Sequence, residues 1–206
     1  MMSPKVFCIG FHKTGTNSLG EAWQLLGYEV CGVRHDLLPA LSENNFDAVE
    51  AIVNQFDAFK DNPWPVLYRQ LDEKYPGSKF ILTIREERSW IKSIVNHFAD
   101  KPSEMIRYIY GVPYPSGNEE IFISKYRQHH LAVTTYFRNR KNDLLILQLP
   151  DENAWHKICE FLGHDIPPVP FPHANKGAYT FFGKIKKYIL KRIRSRIRAL
   201  RNPDTR

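Results

Sequence analysis

The run Ile9-Gly10-Phe11-His12-Lys13-Thr14-Gly15-Thr16-Asn17-Ser18-Leu19 gathers two glycines, a lysine and three hydroxyl side chains between an apolar stretch and a helical pattern. Residues of these types at this spacing hold anions. Gly10 and Gly15 let the main chain turn tightly so that successive N–H groups converge, and the N-terminus of the following helix adds partial positive charge at the same place. Lys13 brings a full charge, and the hydroxyls of Thr14, Thr16 and Ser18 are expected to donate to anionic oxygens. A plain strand–turn–helix junction would use the glycines for turning alone. The lysine and hydroxyls beside them favour a phosphate-like ligand.

In the loop of a nucleoside triphosphatase the lysine follows the second glycine directly, and a Ser or Thr for magnesium comes next. Here Lys13 precedes Gly15 by two residues, and Thr16-Asn17 follows it. The later apolar run Lys79–Ile84 ends in Arg85-Glu86, where such an enzyme would usually offer a magnesium-binding Asp. Both departures argue against ATP or GTP with Mg²⁺, and no metal is expected. Arg85 suits another purpose: at the carboxyl end of a strand it can fork onto a second phosphate. Ser93, about two helical turns on, can donate to the same group.

Taken together, these residues resemble the motifs of the sulfotransferases that use 3′-phosphoadenosine 5′-phosphosulfate (PAPS), enzymes with a P-loop-like α/β fold. Lys13-Thr14-Gly15-Thr16 is similar to their 5′-phosphosulfate loop, and a strand ending in Arg85 with Ser93 eight residues later is similar to their 3′-phosphate motif. Pro170-Phe171-Pro172-His173-Ala174-Asn175-Lys176-Gly177 resembles the end of the bacterial branch, where a Lys-Gly loop closes over the nucleotide. The resemblance implies PAPS as donor, its desulfated form PAP as product, and a hydroxyl or amine of an unidentified acceptor. It implies donor ligands at His12, Lys13, Thr14, Gly15, Thr16, Asn17, Ser18, Arg85 and Ser93, with Lys176 and Gly177 added by the closing loop. It also implies that Lys13 stabilises the leaving group.

The family's base is a His or acidic residue just before the helix that leads to the second strand. In Lys60-Asp61-Asn62-Pro63-Trp64-Pro65 that residue is Asp61. Asp61 could equally cap a turn, and His12, His35, Asp36 and His173 are the back-up bases. The cytosolic branch stacks adenine on an aromatic residue soon after the first loop. Ser18 stands there instead, which leaves Trp90 and Phe171 for that part. His129 and His130 lie on one helix about 100° apart, a poor arrangement for a shared metal.

Short β-rich runs alternate with helical patterns and supply the scaffold. Strands are expected at Lys5–Gly10, Glu29–Cys31, Lys79–Ile84 and Leu144–Leu149, the last two buried on both faces. Helices are expected at Asn17–Leu26, Phe46–Phe56, Val66–Tyr75, Glu87–Phe98, Glu119–Arg138 and Asn153–Leu162; the second should present Ala48, Ala51, Ile52 and Phe56 as its apolar stripe. The alternation predicts an α/β fold, three-layer α/β/α with a mostly parallel central sheet, P-loop NTPase-like. Residues 1–180 form that domain, and 181–206 form a basic amphipathic tail. Acceptor loops are expected around His35–Leu41 and Pro102–Asn118, with Phe98, Tyr108, Tyr110 and Tyr114 as apolar or sugar-stacking lining.

Charge divides along the same boundary. The net +7 of the 206 residues separates into +9 from Lys184 to Arg206 and −2 over the preceding 183. The folded body therefore lacks the basic surface of a specific nucleic-acid binder. In the tail, Ile185, Ile189, Ile193 and Ile197 recur every four residues among Arg and Lys, a pattern that suits packing on the body, an anionic membrane surface or a partner groove. Three widely spaced cysteines and no C-x-x-C pair fit a reducing cytoplasm, with a peripheral membrane position as the variant the tail suggests. Two other functions compete with sulfuryl transfer: a P-loop nucleotide kinase or NTPase, and a non-catalytic nucleotide-binding module docked by its basic tail.

Overall fold

The computed structural model describes residues 4–174. Lys176, Gly177 and the basic tail, named above as a donor loop and a docking helix, lie outside the described residues. Five strands, β1 (Val6–Cys8), β2 (Val30–Cys31), β3 (Ala58–Phe59), β4 (Lys79–Ile84) and β5 (Leu144–Gln148), form one sheet in the order β2-β3-β1-β4-β5. Every pairing is parallel. Consecutive strand residues point to opposite faces, which sorts the core into layers. Phe7, Phe59, Phe80 and Leu82 enter one hydrophobic cluster, while Val6, Cys8, Ala58 and Ile81 enter another.

Helices α1 (Thr16–Leu25) and α8 (Ala154–Leu162) cover the second cluster with Leu19, Ala22, Trp23, Trp155 and Ile158. On the first cluster lie α2 (Leu38–Ser42), α3 (Asp47–Val53), α4 (Tyr68–Lys74) and the C-terminal half of α7 (Glu119–Tyr136), through Leu41, Val49, Val53, Leu71 and Val133. A third cluster packs α5 (Glu87–Phe98) and α6 (Glu104–Tyr110) against the N-terminal half of α7 and against Phe11 of the glycine loop. Loop and helices therefore share one apolar support, so the loop is held from below rather than left hanging from β1.

Several expectations change. Leu144–Gln148 is an edge strand with Ile146 47% exposed, not a strand buried on both faces. Of the expected stripe of α3, Ala48, Ile52 and Phe56 pack half-buried against the first cluster, Ala51 is exposed, and the fully buried pair is Val49 and Val53, one turn apart. The short β3, the helix α2 with the 3₁₀ turn His35–Leu37 before it, and α6 inside Pro102–Asn118 had no counterpart in the sequence pattern. Among the described residues no helix is long and apolar enough to cross a membrane.

Candidate active site

The loop Gly10–Gly15 leaves the carboxyl end of β1, where the chain turns towards β2 on one side while β4 lies on the other. In open parallel sheets, ligands bind at such a switch point. Side-chain donors tie the carbonyl that precedes the loop and three within it: Ile9 O by His129 Nε2 at 2.6 Å, Phe11 O by Thr14 Oγ1 at 2.5 Å, His12 O by Trp90 Nε1 at 3.0 Å and Lys13 O by Arg85 Nη1 at 3.2 Å. In a trans peptide the N–H of the next residue points opposite to the carbonyl. Anchoring these carbonyls towards the protein therefore turns the following N–H groups the other way. Lys13 is held at φ 67° and Gly15 at φ 103°, both in the left-handed region, a backbone pattern able to aim main-chain N–H groups at an anion. Helix α1 follows with its first bond, Leu19 N to Gly15 O, which leaves the N–H groups of Thr16, Asn17 and Ser18 without helical acceptors.

The two glycines do different things. Gly15 supplies the left-handed turn, whereas Gly10 supplies space. A Cβ on Gly10 would lie 2.1 Å from Thr83 Oγ1 and 2.2 Å from the Thr83 carbonyl oxygen. The hydroxyls also differ from the expectation that all three face the anion. Thr14 is buried, its Oγ1 donating to Phe11 O and meeting Thr83 Oγ1 at 2.6 Å. Thr16 Oγ1 donates to Asp61 Oδ1 at 2.6 Å, so what these two threonines can offer an anion is main-chain N–H. Ser18 Oγ accepts the Ala174 N–H at 3.2 Å, which keeps its own proton available to a ligand and ties the last described loop to α1.

Asp61 follows β3, the strand beside β1, and so stands next to the loop. A carboxylate thus stands beside the loop on the β3 side, while the β4 side ends in Arg85-Glu86 with no Asp. Its neighbour is already a cation: Lys60 Nζ pairs with Asp61 Oδ2 and also donates to Asn17 Oδ1 at 2.9 Å. Glu86 is likewise committed, capping α5 by accepting the N–H groups of Arg88 and Ser89. Among the described residues no group of three or more metal-ligating side chains occurs. Asp61 itself sits at φ 64°, a second non-glycine residue at the cavity in a conformation that the surroundings must enforce.

Arg85 leaves the end of β4 under close control. Its N–H donates to Tyr126 Oη at 2.9 Å and its carbonyl accepts from the same hydroxyl at 2.8 Å. Tyr126 stacks on Trp90 at 4.2 Å. Trp90 is fully buried with its N–H given to His12 O, so it does not stack on adenine. Phe171, half-buried and on the cavity wall, stays available for that part. His129 is likewise a loop anchor, stacked on Phe11 at 4.4 Å.

A cavity of about 660 Å³ joins the predicted residues: His12 to Ser18, Asp61, Arg85 and Ser93 all line it, as do His35 and His173. Asp36 does not; it is exposed and paired with Arg34. A polar hollow of about 400 Å³ shares Lys13, Arg85, Ser93 and His97 with this cavity and adds Ser89, Lys92 and Asn96. Of the expected apolar lining only Phe98 reaches the cavity, where Met105 and Ile106 of α6 join it. Tyr108 is exposed, and Tyr110 packs behind the wall against Phe122 at 3.9 Å. Burial lowers the His12 pKa to about 4, with smaller opposing effects from Asp61 and Asn62.

A glycine loop at the switch point of a parallel sheet, with the basic side chains of Lys13 and Arg85 beside it, lines this cavity. The family model for the sulfotransferase domain matches residues 5–113 and 96–180, most of the chain, and the protein belongs to that family. A relative, Ava biosynthesis cluster protein M of Aspergillus versicolor, is 24% identical over 211 residues, covering 82% of this chain and 80% of the relative.

Proposed function

We propose that the protein transfers a sulfuryl group from PAPS to an acceptor and releases PAP, with Lys13 and Asp61 as its catalytic residues. The observation that supports the reading is that the loop and α1 N-terminus around Lys13 open into the same space as the polar hollow lined by Arg85 and Ser93, two places suited to anions. A donor with a 5′-phosphosulfate and a separate 3′-phosphate presents two such anions. The bound donor supplies an activated sulfur whose bond to the 5′-phosphate oxygen breaks as the bond to the acceptor oxygen forms.

The residues then divide the work. Main-chain N–H groups from Lys13 to Ser18 hold the 5′ end, and the Lys13 ammonium neutralises charge growing on the leaving phosphate oxygen. Arg85 forks onto the 3′-phosphate with Ser93 donating beside it. Asp61, oriented by Thr16 and Lys60, keeps lone pairs free on its oxygens and takes the acceptor proton. Phe171 is the proposed adenine neighbour, and Lys176 with Gly177 closes over the nucleotide. The basic tail is proposed to dock on an anionic surface or a partner.

Calorimetry with PAP, and separately with ATP plus Mg²⁺, tests the donor. Micromolar-range PAP binding without a magnesium requirement is expected. Magnesium-dependent ATP binding with no response to PAP would favour the kinase-like reading, for which the position of Asp61 beside the loop is the supporting observation. Lys13→Ala should lower kcat about 10²- to 10³-fold, as removing one charge-stabilising donor does, and Asp61→Asn about 10²- to 10⁴-fold. Labelled-sulfate transfer that survives Lys13→Ala at the wild-type rate removes its assigned role.

A further inference from the structure

The two edges of the sheet are unlike. β2 ends it with two residues, Val30 and Cys31, a strand too short to template another. β5 ends it with five, Leu144-Leu145-Ile146-Leu147-Gln148, paired to β4 without a bulge from Phe80↔Leu144 to Ile84↔Gln148. Proteins usually blunt such an edge with a lysine, a proline, a bulge or a cover. This strand carries no charge and no proline, and Ile146 at its centre is 47% exposed.

The outward groups follow from one hydrogen bond. Phe80 N–H donates to Asp143 O at 2.8 Å, which turns the Asp143 main chain towards β4. The N–H and C=O of one residue point to the same side of a strand, and the side alternates along it. Leu145 and Leu147 therefore also serve β4, while Leu144, Ile146 and Gln148 present their main-chain groups to the outside. None of these three has a hydrogen-bond partner on that side among the described residues.

Charge around the strand selects its occupant. Arg138, Arg140 and Lys141 precede it, and Asp151 and Glu152 follow it. Arg140 and Asp151 are paired within the chain, with Asp72 and Lys157. Arg138, Lys141 and Glu152 are exposed and in no ion pair among the described residues. A second β5 laid antiparallel about a two-fold axis sets the basic end of each strand beside the acidic end of the other. A parallel neighbour would set like charge beside like. The register is constrained as well, because directly opposed residues share a face, and centring on Ile146 overlaps the whole strand. Ile146 then opposes Ile146 of the second copy, Leu144 opposes Gln148, and Lys141 comes beside Asp151 and Glu152. The residues so opposed are the ones whose main-chain groups face outward.

We propose that β5 is the interface of a homodimer in which two copies pair antiparallel through this edge and join their sheets about a two-fold axis. The pairing borders the site without forming it: Leu149 and Pro150, which follow β5 directly, line the cavity. It is independent of which donor the cavity takes.

The test uses the full chain. Sedimentation equilibrium at micromolar concentration should give twice the 24.1 kDa of one chain, and hydrogen exchange followed by NMR should show the Ile146 and Gln148 amides protected. Ile146→Lys sets two ammonium groups against each other at the axis. It should raise the dimer dissociation constant about a hundredfold, with the circular-dichroism spectrum unchanged and the Gln148 amide then exchanging freely. Lys141→Glu alone should weaken the dimer about tenfold, and adding Glu152→Lys should restore most of it. These exposed positions supply the test should Ile146→Lys not fold. A monomeric wild type overturns the pairing, and protected Ile146 and Gln148 amides in that monomer would assign the edge to another segment of the chain. A dimer that neither Ile146→Lys nor the charge exchange alters overturns it too, since its contact then lies elsewhere.

Discussion

At Gly10 the chain has no room for a side chain, and the reason lies across the sheet rather than in the loop. The hydroxyl of Thr83 that a Cβ would strike also meets Thr14 Oγ1 and the Cys8 thiol, so one buried polar group links β1, the loop and β4. Gly10→Ala must move main chain against main chain. Overpacking costs about 1–3 kcal/mol where side chains give way, and more where they do not. We expect a loss of at least about 3 kcal/mol in denaturant unfolding, together with weakened PAP binding because the main-chain N–H groups shift with the loop. Wild-type stability in Gly10→Ala would mean that the close approach to Thr83 is not a feature of the folded protein. The contrast with Gly15 is instructive: both glycines look alike in the sequence, yet one is required by φ and the other by contact.

Elements set by their own neighbours were readable in the sequence, and elements set by distant ones were not. β4 and α5 stand where their periodicity puts them, since a six-residue apolar run and a capped twelve-residue helix carry their signals locally. β3 has two residues and no pattern to read; it exists because β1 and β2 flank it. The motif residues of the site were legible for the same local reason, as Lys13, Arg85 and Ser93 each keep fixed spacing to a glycine or a strand end. The groups that aim the loop were hidden, because Trp90 and His129 reach it from 78 and 120 residues away. Tyr126 is the clearest instance, a helix residue holding both main-chain groups of Arg85 from 41 positions away. Tyr126→Phe keeps the stack on Trp90 and removes only the hydroxyl. It should weaken PAP binding about tenfold, the effect of roughly 1.4 kcal/mol. Adenosine 5′-phosphosulfate, which lacks the 3′-phosphate, should bind the variant and the wild type alike. An equal loss for both ligands in calorimetry would show that Tyr126 supports the fold at large rather than the Arg85 arm.

Across the whole molecule, the same aromatic support makes stability depend on pH in a definite direction. His12, His129 and His130 are each lowered to a pKa of about 4, chiefly by burial, from an ordinary value of 6.5. All three belong to the region joining the glycine loop to α7, where His12 meets Phe98 edge-on, His129 stacks on Phe11 and His130 packs tilted against Tyr126. Between these two pKa values the unfolded chain binds protons that the folded chain refuses, so stability rises with pH. The contribution is complete above about pH 6.5 and is lost as pH falls through 4, with no further loss from these groups below that. For the fully buried His12 and His129 the loss is about 3 kcal/mol each, a large part of the roughly 5–15 kcal/mol that holds a domain together. Carboxylates act in a lower window: Asp36 and Glu86, exposed, and Glu87 and Asp151, half-buried, are held below their ordinary values by hydrogen bonds, so they lose their small contributions only in stronger acid. Denaturant unfolding at a series of pH values should therefore show a plateau above neutrality and a steep decline between pH 6 and about 4. His129→Gln, which keeps a side-chain N–H for Ile9 O, should flatten that decline by roughly the share of one histidine. A stability constant from pH 7 to 5 in the wild type would mean that these imidazoles accept protons in the folded state as freely as in the unfolded one.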